Sequence, residues 1–544
     1  MIFTLDEEPK GIELLYYTGK YVEAYEFVQK ALKSSKKNQP NHYQLLIWNL
    51  KLRPSVGKFS NIEEEVKDLI EILVKEKKHT FLLEAILVHV SILNAIGRID
   101  EIIKEINYGE SFIKNLVASK KKDYFKAIYL FYKGSFYTNK AEHEVARSHF
   151  EESLSIFQKN KLYYFIALVQ ISLARSYRGT DKADFSFDYL NKALDISMKY
   201  NFQNIQAKAL QNIGIVYNYL GDLTQALENL QKSLEINKII GSPNALGNSN
   251  LNLGVLHHFR GNLNSALDYY QQALEYYQIV GNMNYISAAQ YNIGLIFNLQ
   301  GKLQEALERF EIVLPIMQKV GNISLITACF NSLGKIYYDL GFYEKAENHL
   351  STVYQLKDNI TKMSLSKALF YLIPVLLKRN ELEKTKQLID DLESILDDNI
   401  TVNHRYLVLK ALYISSTENY DFNEVEKLFV KVINEPIADH ETTVEAIIQL
   451  TKLLILEYTK TKNNEQLERI KYYADRLSKI ATKQQSRLLF VEHFWLKSRI
   501  ALFENDTVSA NQLAKQARDM AQEMNFQRLL SKMDECKAKN HTSL

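Results

Sequence analysis

The sequence predicts an all-α solenoid of stacked helical hairpins, and three observations carry the prediction. One forty-residue pattern is written four times in phase between Lys208 and Ala346: Gly214, Gly254, Gly294 and Gly334 recur at that period, as do Gly221, Gly261, Gly301 and Gly341, and Ala226, Ala266, Ala306 and Ala346. Self-similarity at such a period marks stacked supersecondary units. Within a unit, Ala207, Leu210, Ile213, Val216 and Tyr217 step by three and four residues, the spacing of one helix face rather than of an alternating strand. A glycine then follows each apolar series, suited to the left-handed position that ends a helix.

Taken in order, the unit from Asn204 opens with helix A. Gly214 lies inside it, where glycine costs up to about 1 kcal/mol relative to alanine, so its recurrence calls for a neighbour packed closest at that point. Gly221 forms the turn. Leu223, Ala226, Leu227, Leu230 and Leu234 begin helix B, which runs to Ile240, and Gly241, Gly281 and Gly321 close three successive B helices. Toward the N-terminus the turn slot is tracked through Gly19, Gly57, Gly97, Ala141 and Asp181. Toward the C-terminus glycine is absent after Gly341, and Asn380, Tyr420, Asn464 and Asn505 mark the turns. Residues 1–122 read as degenerate N-terminal helical repeats, 123–357 as the regular array, and 358–544 as degenerate C-terminal repeats ending in a capping helix, Phe526 to Lys539. That makes about twelve or thirteen hairpins. Pro315 and Pro374 fall inside predicted helices, where proline removes a hydrogen bond and kinks or ends the helix.

The order small-apolar, Gly, aromatic, Gly, Ala reads Ile213-Gly214 to Tyr217 to Gly221 to Ala226, and Leu333-Gly334 to Tyr337 to Gly341 to Ala346. It resembles the tetratricopeptide repeat. The forty-residue period is similar to the lengthened class of the Pins/LGN polarity scaffolds and, less closely, to kinesin light chains and bacterial Rap-type regulators. The resemblance implies a right-handed superhelix with the A helices on its concave wall.

Hydrophobic content of 46%, charged content of 24% and a net charge of +3 indicate neither disorder nor a polyanion partner. Cys329 and Cys536 stand far apart without metal spacing, so neither a disulfide framework nor a zinc site is expected. Asp6, Glu7 and Glu8 occupy a stretch where a signal peptide would need positive charge. No run reaches about eighteen consecutive apolar residues, the length of a membrane-spanning helix. A cytoplasmic protein follows, with no membrane insertion, no nucleic-acid partner and no small-molecule substrate evident. There is no glycine-rich phosphate loop, no Gly-x-Ser-x-Gly elbow and no His-Glu-x-x-His, so no catalysis, metal or cofactor is expected. His257 adjoins His258 but occupies the slot of Tyr217, Phe297 and Tyr337, which makes it a core position.

The expected functional surface is a polar ladder. Two residues before each helix A glycine stand Asn212, Asn252, Asn292 and Ser332, about 200° round the helix from the close-packing side. The resemblance implies that this position lies on the concave wall and that an asparagine there holds the backbone of a bound extended peptide. An amide offers the donor and the acceptor that a peptide unit needs. Helical spacing adds Lys208, Tyr219, Asn248 and Phe259 to this face, and its flank adds Gln211, Asn218, His258, Tyr291, Asn298, Asn331 and Tyr338. Nine basic and ten acidic residues between Lys208 and Ala346 leave the face near-neutral, amide-rich and aromatic. That favours a peptide with apolar anchors over a carboxylate clamp. The same amides could instead link adjacent A helices. The predicted function is a non-catalytic scaffold that binds an extended peptide or partner segment; the alternative is a peptide-responsive sensor of the Rap-like type.

Overall fold

The computed structural model describes residues 11–36, 39–96, 98–114, 116–117, 119–140, 142–177, 183–435, 439–531 and 533–534. Among them thirteen hairpins follow one another, each an A helix and a B helix. The first five are α1 (Ile12–Tyr17) with α2 (Tyr21–Ser34), α3 (Pro40–Leu52) with α4 (Ile62–Lys75), α5 (His79–Ile96) with α6 (Ile99–Ile113), α7 (Lys120–Asn139) with α8 (His143–Lys159), and α9 (Tyr163–Ser176) with α10 (Ala183–Lys199). Four regular ones come next: α11 (Gln203–Leu220) with α12 (Leu223–Ile240), α13 (Pro243–Phe259) with α14 (Leu263–Val280), α15 (Met283–Leu299) with α16 (Leu303–Val320), and α17 (Ile323–Asp339) with α18 (Tyr343–Gln355). The last four are α19 (Lys362–Lys378) with α20 (Leu382–Ser394), α21 (Ile400–Ser415) with α22 (Phe422–Asn434), α23 (His440–Thr461) with α24 (Asn464–Gln484), and α25 (Arg487–Phe503) with α26 (Thr507–Glu523). No strand occurs among the described residues. The all-α hairpin solenoid is therefore the fold.

Two side-chain pairings recur in the hairpins from α7 to α18. The helical glycine of helix A receives the B-helix residue sixteen positions later: Phe150 over Gly134, Leu230 over Gly214, Tyr270 over Gly254, Phe310 over Gly294 and Leu350 over Gly334. A β-carbon built on Gly254 would lie 2.6 Å from Tyr270 Cδ1, so the glycine is the space that the ring fills. The second pairing joins an A-helix ring to a side chain twelve residues on. Tyr137 stacks on His149 at 5.4 Å, His257 on Tyr269 at 5.2 Å and Tyr337 on His349 at 5.5 Å, while Arg309 lies over the Phe297 ring at 5.9 Å. His257 is thus one member of a hairpin-closing ring pair. Tyr270 and Tyr277 are fully buried, which makes them packing residues between the helices.

Turns follow the glycine reading with local shifts. Gly221 and Gly301 are left-handed at φ 83° and 76°, and Asn380 and Asn505 replace glycine at φ 60° and 59°. At the two turns read from Tyr420 and Asn464, the left-handed residues are Asn419 and Lys462, because asparagine tolerates the conformation and Asn463 is needed to cap α24. Gly97, Ala141, Asp181 and Cys536 lie outside the described residues. Helices α16 and α19 run through Pro315 and Pro374 without ending there. α5 is long and apolar enough to cross a membrane by length and composition, and here it is a core helix, with Leu82, Leu83, Ala85, Ile86 and Val90 fully buried.

The chain divides into two compact units, one of residues 1–260 with 264–289 and one of 261–263 with 290–544. In the first, α1 and α2 return to helices far along the chain. Tyr17 lies 4.2 Å from the Tyr164 ring, Asn204 Nδ2 donates to both Tyr21 Oη and Tyr164 Oη at 2.9 Å, and the turn at Gly19 meets Ile240. In the second, the segment after α26 returns to α17: Arg528 Nε stands 3.1 Å from Asp339 Oδ1, and its guanidinium covers the Tyr338 ring at 5.2 Å.

Candidate functional site

In the first unit the predicted face is built on α11 and α13. These helices are regular because small residues and leucines face their partners, which leaves the opposite side for polar and aromatic groups. Asn212 and Asn252 stand one period apart, and each folds its Nδ2 back onto its own helix, 2.8 Å from Lys208 O and Asn248 O. One N–H of each amide is thereby used, which leaves the second N–H and the Oδ1 acceptor to the ladder. Asn212 is only 9% exposed, whereas Asn252 is half-buried. Asn248 Oδ1 accepts from Tyr277 Oη at 2.8 Å, a bond that ties α13 to α14.

Above the amides, at the C-terminal ends of the same helices, two rings face solvent: Tyr219 is 61% exposed and Phe259 64%. Gln211, Asn218 and His258 flank them, each half-buried. Asn218 Oδ1 is enclosed without a hydrogen-bond partner, and burial lowers the His258 imidazole below its usual range. Lys208 is exposed at the other end of α11, and its ammonium is lowered by desolvation and then by Arg175. Arg175, exposed on α9, was not found by the sequence reading because its slot is that of the apolar Ile215.

In the second unit the face is built on α15 and α17. Tyr291 Oη and Ser332 Oγ hydrogen-bond at 3.2 Å and so join the two A helices, while burial raises the Tyr291 phenol to about 12. Asn292 and Asn298 are half-buried and Asn331 is buried; Asn298 Oδ1 and Asn331 Oδ1 are enclosed without partners. Tyr338 is covered by Arg528, and burial raises its phenol to about 12 against the pull of that guanidinium. Asp339, 2% exposed, is held by Lys335 Nζ at 3.1 Å and by Arg528. Burial opposes charge on Arg528, yet Asp339, Tyr338 and Glu492 hold it above the usual guanidinium range. The wall at α17 is therefore closed by the chain's own segment, whereas the wall at α11 and α13 presents open aromatic surface. Among the described residues no group of three potential metal ligands gathers.

The family model for the tetratricopeptide repeat matches residues 205–279 and 285–359, the stretch that holds the four regular hairpins. No curated protein matches the sequence. Among solved structures, the chain is similar to a Rap protein complexed with competence and sporulation factor, at 13% identity and a TM-score of 0.46 over 64% of this chain and 98% of that one. It is also similar to the apo form of the quorum sensor NprR from B. thuringiensis, at 14% and 0.44 over 74% and 99%. A third is aspartyl phosphate phosphatase F from Bacillus subtilis, at 14% and 0.40 over 71% and 95%.

Proposed function

We propose that the A-helix wall formed by α11 and α13 binds an extended segment of a partner protein, without catalysis. The observation that carries this reading is the pair of exposed rings, Tyr219 and Phe259, one period apart above Asn212 and Asn252. Exposed aromatic side chains are costly to leave in water and are the residue types that anchor interfaces. With one N–H bound to their own helix, Asn212 and Asn252 offer an Oδ1 acceptor and a second N–H donor to the peptide units of a strand-like ligand. The ligand is then held by apolar side chains on the rings and by its own backbone, which fits the near-neutral composition of the stretch.

The test is selection of binders from a displayed random-peptide library on wild-type protein, with affinities compared on a Tyr219→Ala/Phe259→Ala variant. The rings are exposed, so the variant should keep its helicity and Tm. Selected peptides should share an apolar residue and lose at least about tenfold in affinity, about 1.4 kcal/mol. Equal binding by the variant would place the ligand elsewhere and remove this reading.

A further inference from the structure

The first unit holds a second candidate surface that the repeat reading did not touch. Helices α1, α3, α5 and α7 are successive A helices, and the bonds of Tyr17 and Asn204 bring α1 and α2 back onto α9 and α11. Their inward faces therefore enclose a common interior. Helical spacing puts Glu13 and Tyr16 on one side of α1, Trp48 and Lys51 on one side of α3, Glu84 and Ser91 on one side of α5, and Lys121 and Tyr132 on one side of α7.

Tyr132 and Ser91 hydrogen-bond each other and so join α7 to α5, but the charged groups beside them pair with no opposite charge. Lys51 Nζ is held 4.4 Å from both the Tyr16 and the Trp48 ring, and those rings meet edge to face at 5.4 Å. Burial lowers Lys51 to about 8 against the pull of Glu84 and Glu13, and raises Glu84 to about 7 against Lys121 and Lys51. The influence is through space: among the described residues, none of these four charges pairs with another. Glu13 Oε1 and Tyr17 Oη are enclosed without hydrogen-bond partners. Yet Glu13, Tyr16, Lys51, Glu84, Lys121 and Tyr132 all keep part of their surface open. Desolvated opposite charges that do not touch are costly, and polar atoms left without a protein partner are available to a ligand that brings the complementary groups.

We propose that this interior binds a small zwitterion of the amino-acid type, its ammonium received by Glu13 and Glu84 and its carboxylate by Lys51, Lys121 and Tyr17. Such a ligand brings one charge of each sign at a fixed separation, and so matches a lining of two carboxylates and two ammoniums. Tyr16, Tyr132 and Trp48 would pack against its stem. This site shares no residue with the α11–α13 wall, so its fate is independent of that reading.

The experiment uses the full chain and three probes: a mixture of the standard L-amino acids followed by each alone, glycylglycine, and N-acetylated amino-acid amides that lack both charges. Two measurements are made: Tm against probe concentration, and acetylation of Lys51 by an N-hydroxysuccinimide ester, read by mass spectrometry. At least one free amino acid should raise Tm saturably and shield Lys51, the blocked amides should do neither, and Glu84→Gln or Lys51→Met should weaken binding at least about tenfold. If glycylglycine acts and no single amino acid does, the zwitterion is a short peptide and the chemistry stands. Absence of any shift and shielding in wild type, equal action by the blocked amides, or retention of binding by both variants overturns the site. Where a variant fails to fold, shielding of Lys51 in wild type decides alone.

Discussion

A single ring position decides whether glycine inside a helix is a defect or a fitting. Alanine would improve the helix at position 254 by up to about 1 kcal/mol. Its β-carbon, however, would meet the Tyr270 ring, which is fully buried and cannot withdraw, and overpacking of that kind costs about 1–3 kcal/mol. Gly254→Ala should therefore lower stability on balance, read as a lower urea midpoint with an unchanged slope. The ring pairs make a second prediction. Burial holds His149, His257 and His349 below the usual imidazole range, with nearby cations adding to the effect. Their folded values lie below the unfolded value of about 6.5, so the neutral forms stabilise the fold fully above that pH, and the contribution is lost as pH falls through the folded values. His257→Tyr installs the residue found in the same slot at Tyr217 and Tyr337. The variant should lose less Tm than wild type between about pH 7.5 and about pH 5; an equal loss would show that His257 protonates freely.

At the scale of helices, legibility followed repetition. The limits of α12, the glycine-ended turns and the His257 slot could be read because the same environment recurs and each copy checks the others. The partners of those positions could not, since a sixteen-residue offset between Gly254 and Tyr270 has no local signature. The amide ladder was legible as a row, but not that Asn212 and Asn252 each bind one N–H back to their own helix. Arg528 was illegible for a simpler reason: its partner Asp339 comes from a helix far away in sequence. Arg405 shows the same effect in the C-terminal third. From α21 it donates to Met363 O at 3.1 Å and Ser366 Oγ at 3.0 Å, and reaches Asp439 Oδ2 at 2.8 Å, so one buried guanidinium ties α19 to the cap of α23. Removing one partner of a buried ion pair typically costs about 3–5 kcal/mol because the other is left uncompensated. Arg405→Ala should destabilise by that order in chemical denaturation, and Arg405→Ala/Asp439→Ala should recover part of the loss.

At the scale of the molecule, the contacts that return along the chain change what kind of object a repeat array is. An open stack is held by neighbours alone, so it can fray from either end and unfold in pieces. In the first unit Asn204 instead bonds Tyr21, 183 residues away, and in the second Arg528 reaches Asp339. Each unit is thereby fastened across many hairpins. Asn204→Ala removes bonds to two buried phenols, a loss of about 1–3 kcal/mol each for the groups left unsatisfied. Its larger effect should be on cooperativity. Once the return contact is broken, hairpins near the end can open without the rest, less surface is exposed in the main transition, and the urea slope falls. Gly254→Ala supplies the contrast, because it weakens one hairpin while leaving the fastening in place. Hydrogen exchange should separate the two: α1 to α3 should lose protection selectively in Asn204→Ala, and α13 with α14 in Gly254→Ala. An Asn204→Ala protein with a lower midpoint but an unchanged slope and uniform exchange would mean that neighbour contacts alone set cooperativity, and that the return of α1 onto α9 and α11 adds strength without coupling.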